Sequence, residues 1–331
     1  MADAPRSTPR VTPSLRAALV CAAVLALAAA TTPGFATLEW RDGRLFGAPV
    51  DVLHRAVPAA LAALGMSLVI ATRGVDLSVG SVGAIAAVVA AMGLRDRGWG
   101  APAAVVAALA SGAAFGAFNG VLVARLGLQP IVATLILFTA GRGIAQLLAA
   151  GSVIAFDAPA FASLGSGASA GLPNAVWIAA AATALLAWVA HRTSFGLYVR
   201  AFGDNPAAAR LAGIPVTALL VAVYAACGTL AAAAGALVAA DIRAADPSSA
   251  GMYLELDAIL ATVLGGTSLR GGSLHVTGAV CGALILQTLT TVVLMHGAPW
   301  TWALVVKAIA VLAVCALQSP RLAAAWRART A

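Results

Sequence analysis

Seven stretches of this sequence, at 16–37, 102–124, 129–150, 174–191, 216–240, 274–296 and 300–318, run for 18 to 25 residues almost without charge. A helix crosses the hydrocarbon core of a bilayer in about 20 mainly apolar residues. Inside that core no water can satisfy a backbone that is neither helical nor part of a closed barrel. The stretches are too long for strands, so they predict spanning helices. Three shorter apolar segments, 57–72, 79–93 and 256–269, are bounded by Gly-rich or charged turns and bring the expected count to ten. Only 10% of the residues are charged, against about 25% in an ordinary soluble domain, too few to clothe a water-facing surface. The expected fold is therefore all-α: a polytopic transmembrane helical bundle of about ten spans. A soluble enzyme, a secreted disulfide scaffold and a disordered chain are excluded. The four cysteines sit singly in apolar runs, with no CxxC spacing, and read as small buried hydrophobes.

The net charge of +8 reads as orientation rather than nucleic-acid binding, because no basic helix or aromatic-basic interleaving is present. With ten spans and the N-terminus inside, twelve arginines fall on the inner side and six on the outer. Both termini are then expected to be cytoplasmic. Residues 1–14 are Pro-rich and read as a disordered cytoplasmic tail, residues 15–320 as the transmembrane domain, and residues 321–331 as a second cytoplasmic tail. The first apolar segment also has the form of a signal peptide, but nine further apolar segments favour an uncleaved span.

Lys307 is the only lysine, flanked by Val306 and Ala308. A phosphate-gripping loop needs Gly-Lys-Ser/Thr, so any ATP-driven role requires ATP bound by a partner subunit, with no cofactor in this chain. No paired histidines, HExxH or nucleophile elbow occurs, so no catalytic or metal residue is assigned. Arg142, in Thr139-Ala140-Gly141-Arg142-Gly143, lies deep inside a span, where a guanidinium must face a cavity, a carboxylate or carbonyls. Asp241, Asp246 and Asp257 are its candidate counter-charges. Lys307 lies closer to the expected boundary, where an ammonium can snorkel outward.

Two helix breaks stand out. Residues 71–81, Ala71-Thr72-Arg73-Gly74-Val75-Asp76-Leu77-Ser78-Val79-Gly80-Ser81, are too polar to face lipid and too short for a domain. They read either as a broken helix lining a polar path or as a capped interfacial turn, with Asp76 and Ser78 bonding free N–H groups at the next helix start. Gly265-Gly266-Thr267-Ser268-Leu269-Arg270-Gly271-Gly272-Ser273 cannot hold a stable helix and reads as a nest or a compact turn near the bundle centre. Asp76-Leu77-Ser78 and Glu255-Leu256-Asp257 each open an apolar helix, which suggests an inverted five-plus-five repeat. Gly112, Gly116 and Gly120, like Gly278 and Gly282, recur at the four-residue spacing that lets helix backbones approach closely. Asn119 stands beside the first stripe. Candidate path residues are Asp76, Ser78, Asn119, Arg142, Gln146, Asp257, Thr267 and Ser268.

The loop 192–215 is the longest expected on the inner side. Asn205-Pro206 opens a helix well and Gly213 closes one, so a short helix is expected over 206–212. It suits insertion into a groove on a partner, and a plain surface turn is the alternative.

At this loop, Phe195 to Ile214, the chain resembles the coupling loop of permease subunits of bacterial ATP-binding cassette (ABC) importers for monosaccharides, the ribose-type branch. Gly74-Val75-Asp76-Leu77-Ser78-Val79-Gly80-Ser81 and Leu264-Gly265-Gly266-Thr267-Ser268-Leu269-Arg270-Gly271-Gly272 are similar to two further hallmarks of that family. The resemblance covers roughly residues 50–320. Within the family it is nearest to galactofuranose importer permeases, through Asp42-Gly43-Arg44-Leu45-Phe46-Gly47, Ala140-Gly141-Arg142-Gly143, Ala240-Asp241-Ile242-Arg243-Ala244-Ala245-Asp246, Leu254-Glu255-Leu256-Asp257-Ala258-Ile259-Leu260 and Val305-Val306-Lys307-Ala308. Two departures are Arg73, where the family usually has Gly, and Gly272-Ser273-Leu274-His275 after the second glycine motif.

The resemblance implies a non-catalytic permease in the bacterial inner membrane that works beside a second permease copy or paralogue. A cytoplasmic ABC ATPase would grip the loop at Gly203, Asn205, Pro206, Arg210 and Gly213, and a periplasmic binding protein would deliver the sugar. The alternative is an ion-coupled secondary transporter of a small polar solute. Lipid is the expected surround, and nucleic acid no partner.

Overall fold

A computed structural model describes residues 13–41 and 43–318, with side chains placed to Leu312. Residues 1–12 of the expected N-terminal tail and all of the tail 321–331 lie outside the described residues.

The helices in chain order are α1 (Pro13–Thr31), α2 (Ala48–Ala71), α3 (Val79–Asp96), α4 (Ala101–Ala124), α5 (Pro130–Leu148), α6 (Pro159–Gly165), α7 (Asn174–Arg192), α8 (Ser194–Asp204), α9 (Pro206–Leu211), α10 (Val216–Ile242), α11 (Leu254–Leu264), α12 (Val276–Met295) and α13 (Trp300–Gln318). Among the described residues, α1 to α5, α7, α10 and α12 are long and apolar enough to cross a membrane, and α13 adds a shorter apolar helix. The protein is a polytopic helical membrane protein.

Two of the three short segments differ from expectation. The segment placed at 57–72 begins nine residues earlier, at Ala48, and runs 24 residues with Pro58 inside it. Its first turns carry Asp51, His54 and Arg55, which sequence reading left in a loop; at the end of a spanning helix such side chains reach the boundary. The segment placed at 256–269 is the opposite case. α11 holds only 11 residues, about 16 Å at the usual helical rise, half of what a span needs. Sequence reading also missed α8, whose Ser194–Asp204 run shows only a short amphipathic pattern between Thr193 and Asn205.

The bundle is built around α10. Gly112, Gly116 and Gly120 of α4 lie against it so closely that a Cβ at Gly112 would stand 2.3 Å from Gly228 O and one at Gly116 2.2 Å from Tyr224 O. The α12 stripe acts alike: a Cβ at Gly282 would lie 1.9 Å from Ala261 O of α11. These contacts are the close backbone approach that the four-residue spacing predicted, and they supply the dispersion contacts that hold helices together in lipid. α2 and α3 are the most enclosed helices, whereas α1 and α7 lie at the periphery.

The two ends of the bundle differ. At one end Glu39–Arg41 pairs with Arg44–Phe46, Ile154–Ala155 with Ala244–Ala245, and Ala168–Ser169 with Leu172–Pro173. Leu45 N–H donates to Gly171 O, tying two of these hairpins together. At the other end α8, α9 and the turn after α11 meet the end of α2. Cys21 packs in one cluster with Cys281, and Ala28 in the next with Val292, so α1 runs parallel to α12 from this second end. Arg73, Arg125, Arg200, Arg210 and Arg270 belong to the second end, and Arg41, Arg44 and Arg243 to the hairpin end.

Candidate functional site

The break after α2 starts at the second end of the bundle, where Arg73 is exposed, and turns back into it. Thr72 caps the helix and Arg73 turns the chain with φ 64°, after which Gly74 N–H donates to Val69 O. The Asp76 carboxylate accepts from the Ser78 hydroxyl at 2.6 Å and from the Ser78 N–H at 2.9 Å. Asn119 Nδ2 of α4 donates to Ser78 Oγ at 2.9 Å. Leu77 N–H donates to Thr134 Oγ1 of α5, whose hydroxyl lies 3.2 Å from Val75 O. Asp76, Ser78 and Asn119 are all fully enclosed. The structure therefore brings three of the expected residues together, as a buried latch between the break, α4 and α5. The Tyr224 hydroxyl and Asn119 Oδ1 in this region have no hydrogen-bond partner among the described residues.

The starts of α3 and α11 abut. A Cβ at Gly80 would meet Gly251 O and the Glu255 carboxylate. Because α3 runs toward the hairpin end and α11 toward the other, two helices begin side by side and point apart, a relation compatible with an inverted repeat.

Arg142 projects from α5 toward this meeting point. Its Nη1 donates to Ala250 O at 2.5 Å and lies 3.5 Å from Pro247 O. Glu255 and Asp246 are the carboxylates within electrostatic reach. Of the three expected counter-charges only Asp246 faces Arg142. Asp241 instead faces His54, 3.7 Å away, and Asp257 is taken by Lys307. Glu255 was missed because it reads as a helix-start residue. The Ser249 hydroxyl, the Ser248 N–H and, more weakly, Arg142 hold the Asp246 carboxyl below the usual carboxylate range. Around Arg142, α5 turns Thr139 and Gln146 outward, and Gly143 faces open space. Gln146 thus shares a face with Arg142 but is exposed.

Lys307 does not snorkel. Its ammonium lies 3.0 and 2.9 Å from the two carboxylate oxygens of Asp257, joining α13 to α11. The side chains are 11% and 24% exposed, so the pair is mostly out of water. Asp257 stands in this pair, apart from the Asp76 latch.

The glycine-rich turn after α11 sits at the end of the bundle rather than its centre. Thr267 is buried, its hydroxyl without a partner among the described residues, whereas Ser268 and Arg270 are exposed. Ser268 shapes the turn: its N–H donates to Ser273 Oγ, and its own Oγ accepts from Arg270 N–H. The turn then meets α2, with Gly272 N–H donating to Ala71 O at 2.9 Å.

Next to it lies the pair α8–α9. Asn205 Oδ1 accepts from Ala207 N–H and Ala208 N–H at 3.0 and 3.1 Å, Pro206 fills the first helical position, and Gly213, with φ 77°, ends the turn. The helix expected over 206–212 is present with its last turn at Leu211. Asn205, Arg210 and Gly213 are exposed, and Leu211 is 91% exposed, while Ala209 anchors the helix inward. Gly203 is buried against Ala71 and Gly272.

Residues 48–315 match the family described as the branched-chain amino acid transport system / permease component. The chain belongs to this permease family. It is 47% identical over 299 residues to the galactofuranose transporter permease protein of Escherichia coli K12, covering 90% of this chain and 87% of that one. The ribose import permease protein of the same organism is 39% identical, covering 87% and 88%. The fructose import permease protein of Bifidobacterium longum is 36% identical, covering 87% and 82%. No solved structure matches the chain. The resemblance to sugar-importer permeases, nearest to galactofuranose permeases, is thereby borne out, and the chain is a multi-pass membrane permease component.

Proposed function

We propose that this chain is the membrane-spanning permease subunit of an ATP-driven importer that carries a monosaccharide, galactofuranose or a related pentose or hexose, across a bacterial inner membrane. The observation that carries the reading is the sustained likeness to sugar permeases: relatives named for galactofuranose, ribose and fructose each align over 87% or more of this chain. The chain is non-catalytic, and ATP is bound and hydrolysed by a cytoplasmic partner.

The geometry supports a division of labour. The exposed helix α9, capped by Asn205 and Pro206 and closed by Gly213, is shaped to enter a groove on an ATPase, with Leu211 as its apolar tip and Arg210 beside it. The exposed face of α5 carries Thr139 and Gln146 with Arg142 between them. Such residues are costly against lipid. They suit a water-filled path between this chain and a second permease copy, with a periplasmic binding protein feeding the hairpin end. A neutral sugar needs hydroxyls and amides for recognition rather than a fixed counter-charge, and Arg142 is already bonded to Ala250 O, with Glu255 and Asp246 within electrostatic reach. Asp76, Ser78 and Asn119 act on this path indirectly, by fixing the break that supports α5.

Proteoliposomes holding the chain, its ATPase and its binding protein should accumulate labelled galactofuranose only when ATP is supplied. Uptake by the chain alone under an ion gradient would replace this reading with secondary transport. ATP turnover without uptake of any aldose would overturn the sugar assignment.

A further inference from the structure

Arg73 stands where both helix breaks and the docking helices converge, and the functional reading above leaves it unused. Its φ of 64° is a conformation that glycine adopts freely and other residues seldom do. A long cationic side chain kept at such a position calls for a task.

The contacts indicate one. Arg73 Nε donates to Gly203 O and Nη2 to Asp204 O, both at 2.6 Å. Those carbonyls belong to the last turn of α8, where unpaired acceptors and the negative end of the helix favour a cation. Charge-assisted bonds of this kind are short and strong. Behind them the backbones touch: a Cβ at Gly203 would lie 1.9 Å from Ala71 O and 2.3 Å from Gly272 N. The ends of α2 and α8 and the turn after α11 thus form one junction, and Arg73 clasps it. Three residues on, Asp76 begins the latch that reaches Asn119 of α4 through Ser78. Between them, Val75 and Leu77 hold Thr134 of α5, the helix that carries Arg142.

We infer that Arg73 is a positioning residue for energy coupling: its guanidinium binds the end of α8 to the α2–α3 break, so that movement of α8 and α9 is delivered to residues 72–78 and through them to α4 and α5. The inference rests on the proposed docking of an ATPase at α9. It does not depend on which solute is carried.

The test uses the full permease–ATPase–binding-protein complex and follows hydrogen exchange with and without a trapped ATP analogue, alongside uptake per ATP hydrolysed. Arg73→Gly suits the purpose because glycine accepts the positive φ while removing both hydrogen bonds. In the natural chain, trapped nucleotide should change exchange at both 206–213 and 72–78. In Arg73→Gly the change at 206–213 should persist, while that at 72–78 shrinks about fivefold or more and uptake per ATP falls with it. Arg73→Lys, which can reach one carbonyl, should fall between. A residue that merely stabilised the fold would lower the melting temperature and leave the ratio of the two exchange responses unchanged. Equal responses in Arg73→Gly and the natural chain would overturn the inference, as would a natural chain whose 72–78 segment ignores nucleotide. The expected exchange pattern without any sugar uptake would support the clasp and count against the sugar assignment alone.

Discussion

The Lys307–Asp257 pair gives the most quantitative test of the bundle's electrostatics. The ammonium sits 2.9–3.0 Å from both carboxylate oxygens, and little of either side chain is exposed. Removing one partner leaves a lone charge in a poorly hydrated setting, which costs about 3–5 kcal/mol in buried pairs and about 2.5–3.5 kcal/mol for an aspartate at the centre of a spanning helix. Lys307→Met keeps the volume and strands the Asp257 carboxylate. Taking about 3 kcal/mol, and an unfolding entropy of about 2.1 cal/mol/K per residue over the 331 residues, the melting temperature should drop by about 4 °C. Asp257→Asn should cost less, because a freed lysine can extend along its own stem toward the boundary. The double variant Asp257→Asn/Lys307→Met should recover most of the loss, with a coupling energy of about 2 kcal/mol in the cycle. The assay is a fluorescence melt of the purified permease in detergent, all four proteins scanned at one rate. A Lys307→Met melt within about 1 °C of the natural chain, or strictly additive losses, would refute the pairing argument and restore a snorkelling lysine.

Other outcomes follow from single contacts. Gly116→Leu cannot fit, since even a Cβ would stand 2.2 Å from Tyr224 O; α4 should separate from α10, and size-exclusion chromatography should find little monodisperse protein. Asn205→Ala removes two cap bonds at α9 and should cost about 1 kcal/mol of local helix stability, read as weaker ATPase binding by the membrane-embedded permease with normal insertion. Arg142→Leu should abolish sugar uptake while leaving complex assembly intact, as measured by co-purification of the ATPase.

What sequence reading delivered, and where it stopped, follows from the range of each signal. The glycine stripes were legible because four-residue spacing is a local pattern with one structural use, and α4 and α12 use it as expected. The short helix α9 was legible because Asn205, Pro206 and Gly213 act within a few residues of themselves. α8 escaped because eleven residues beside a cap signal give too little periodicity. The early start of α2 escaped because Asp51, His54 and Arg55 look like a loop until their place at the end of a spanning helix is known. The half-length of α11 was hidden because Gly265, Gly266, Thr267 and Ser268, which follow it, carry no charge to mark its end. Partners of charges were the least legible of all: Lys307 with Asp257, 50 residues apart, and Arg142 with Ala250 O, 108 apart, depend on how helices meet. The path set divided for the same reason, with Asp76, Ser78 and Asn119 in one buried latch and Gln146 and Ser268 on the surface.

The central claim is that α9 is a cytoplasmic handle through which an ATPase works the bundle. Leu211, 91% exposed at its tip, allows a direct measurement: labelling of Leu211→Cys by a membrane-impermeant maleimide in inside-out and right-side-out vesicles, against the natural chain as background. Labelling in inside-out vesicles only, lost when the ATPase is bound, is the predicted result. Labelling in right-side-out vesicles would reverse the orientation of the bundle and contradict the account.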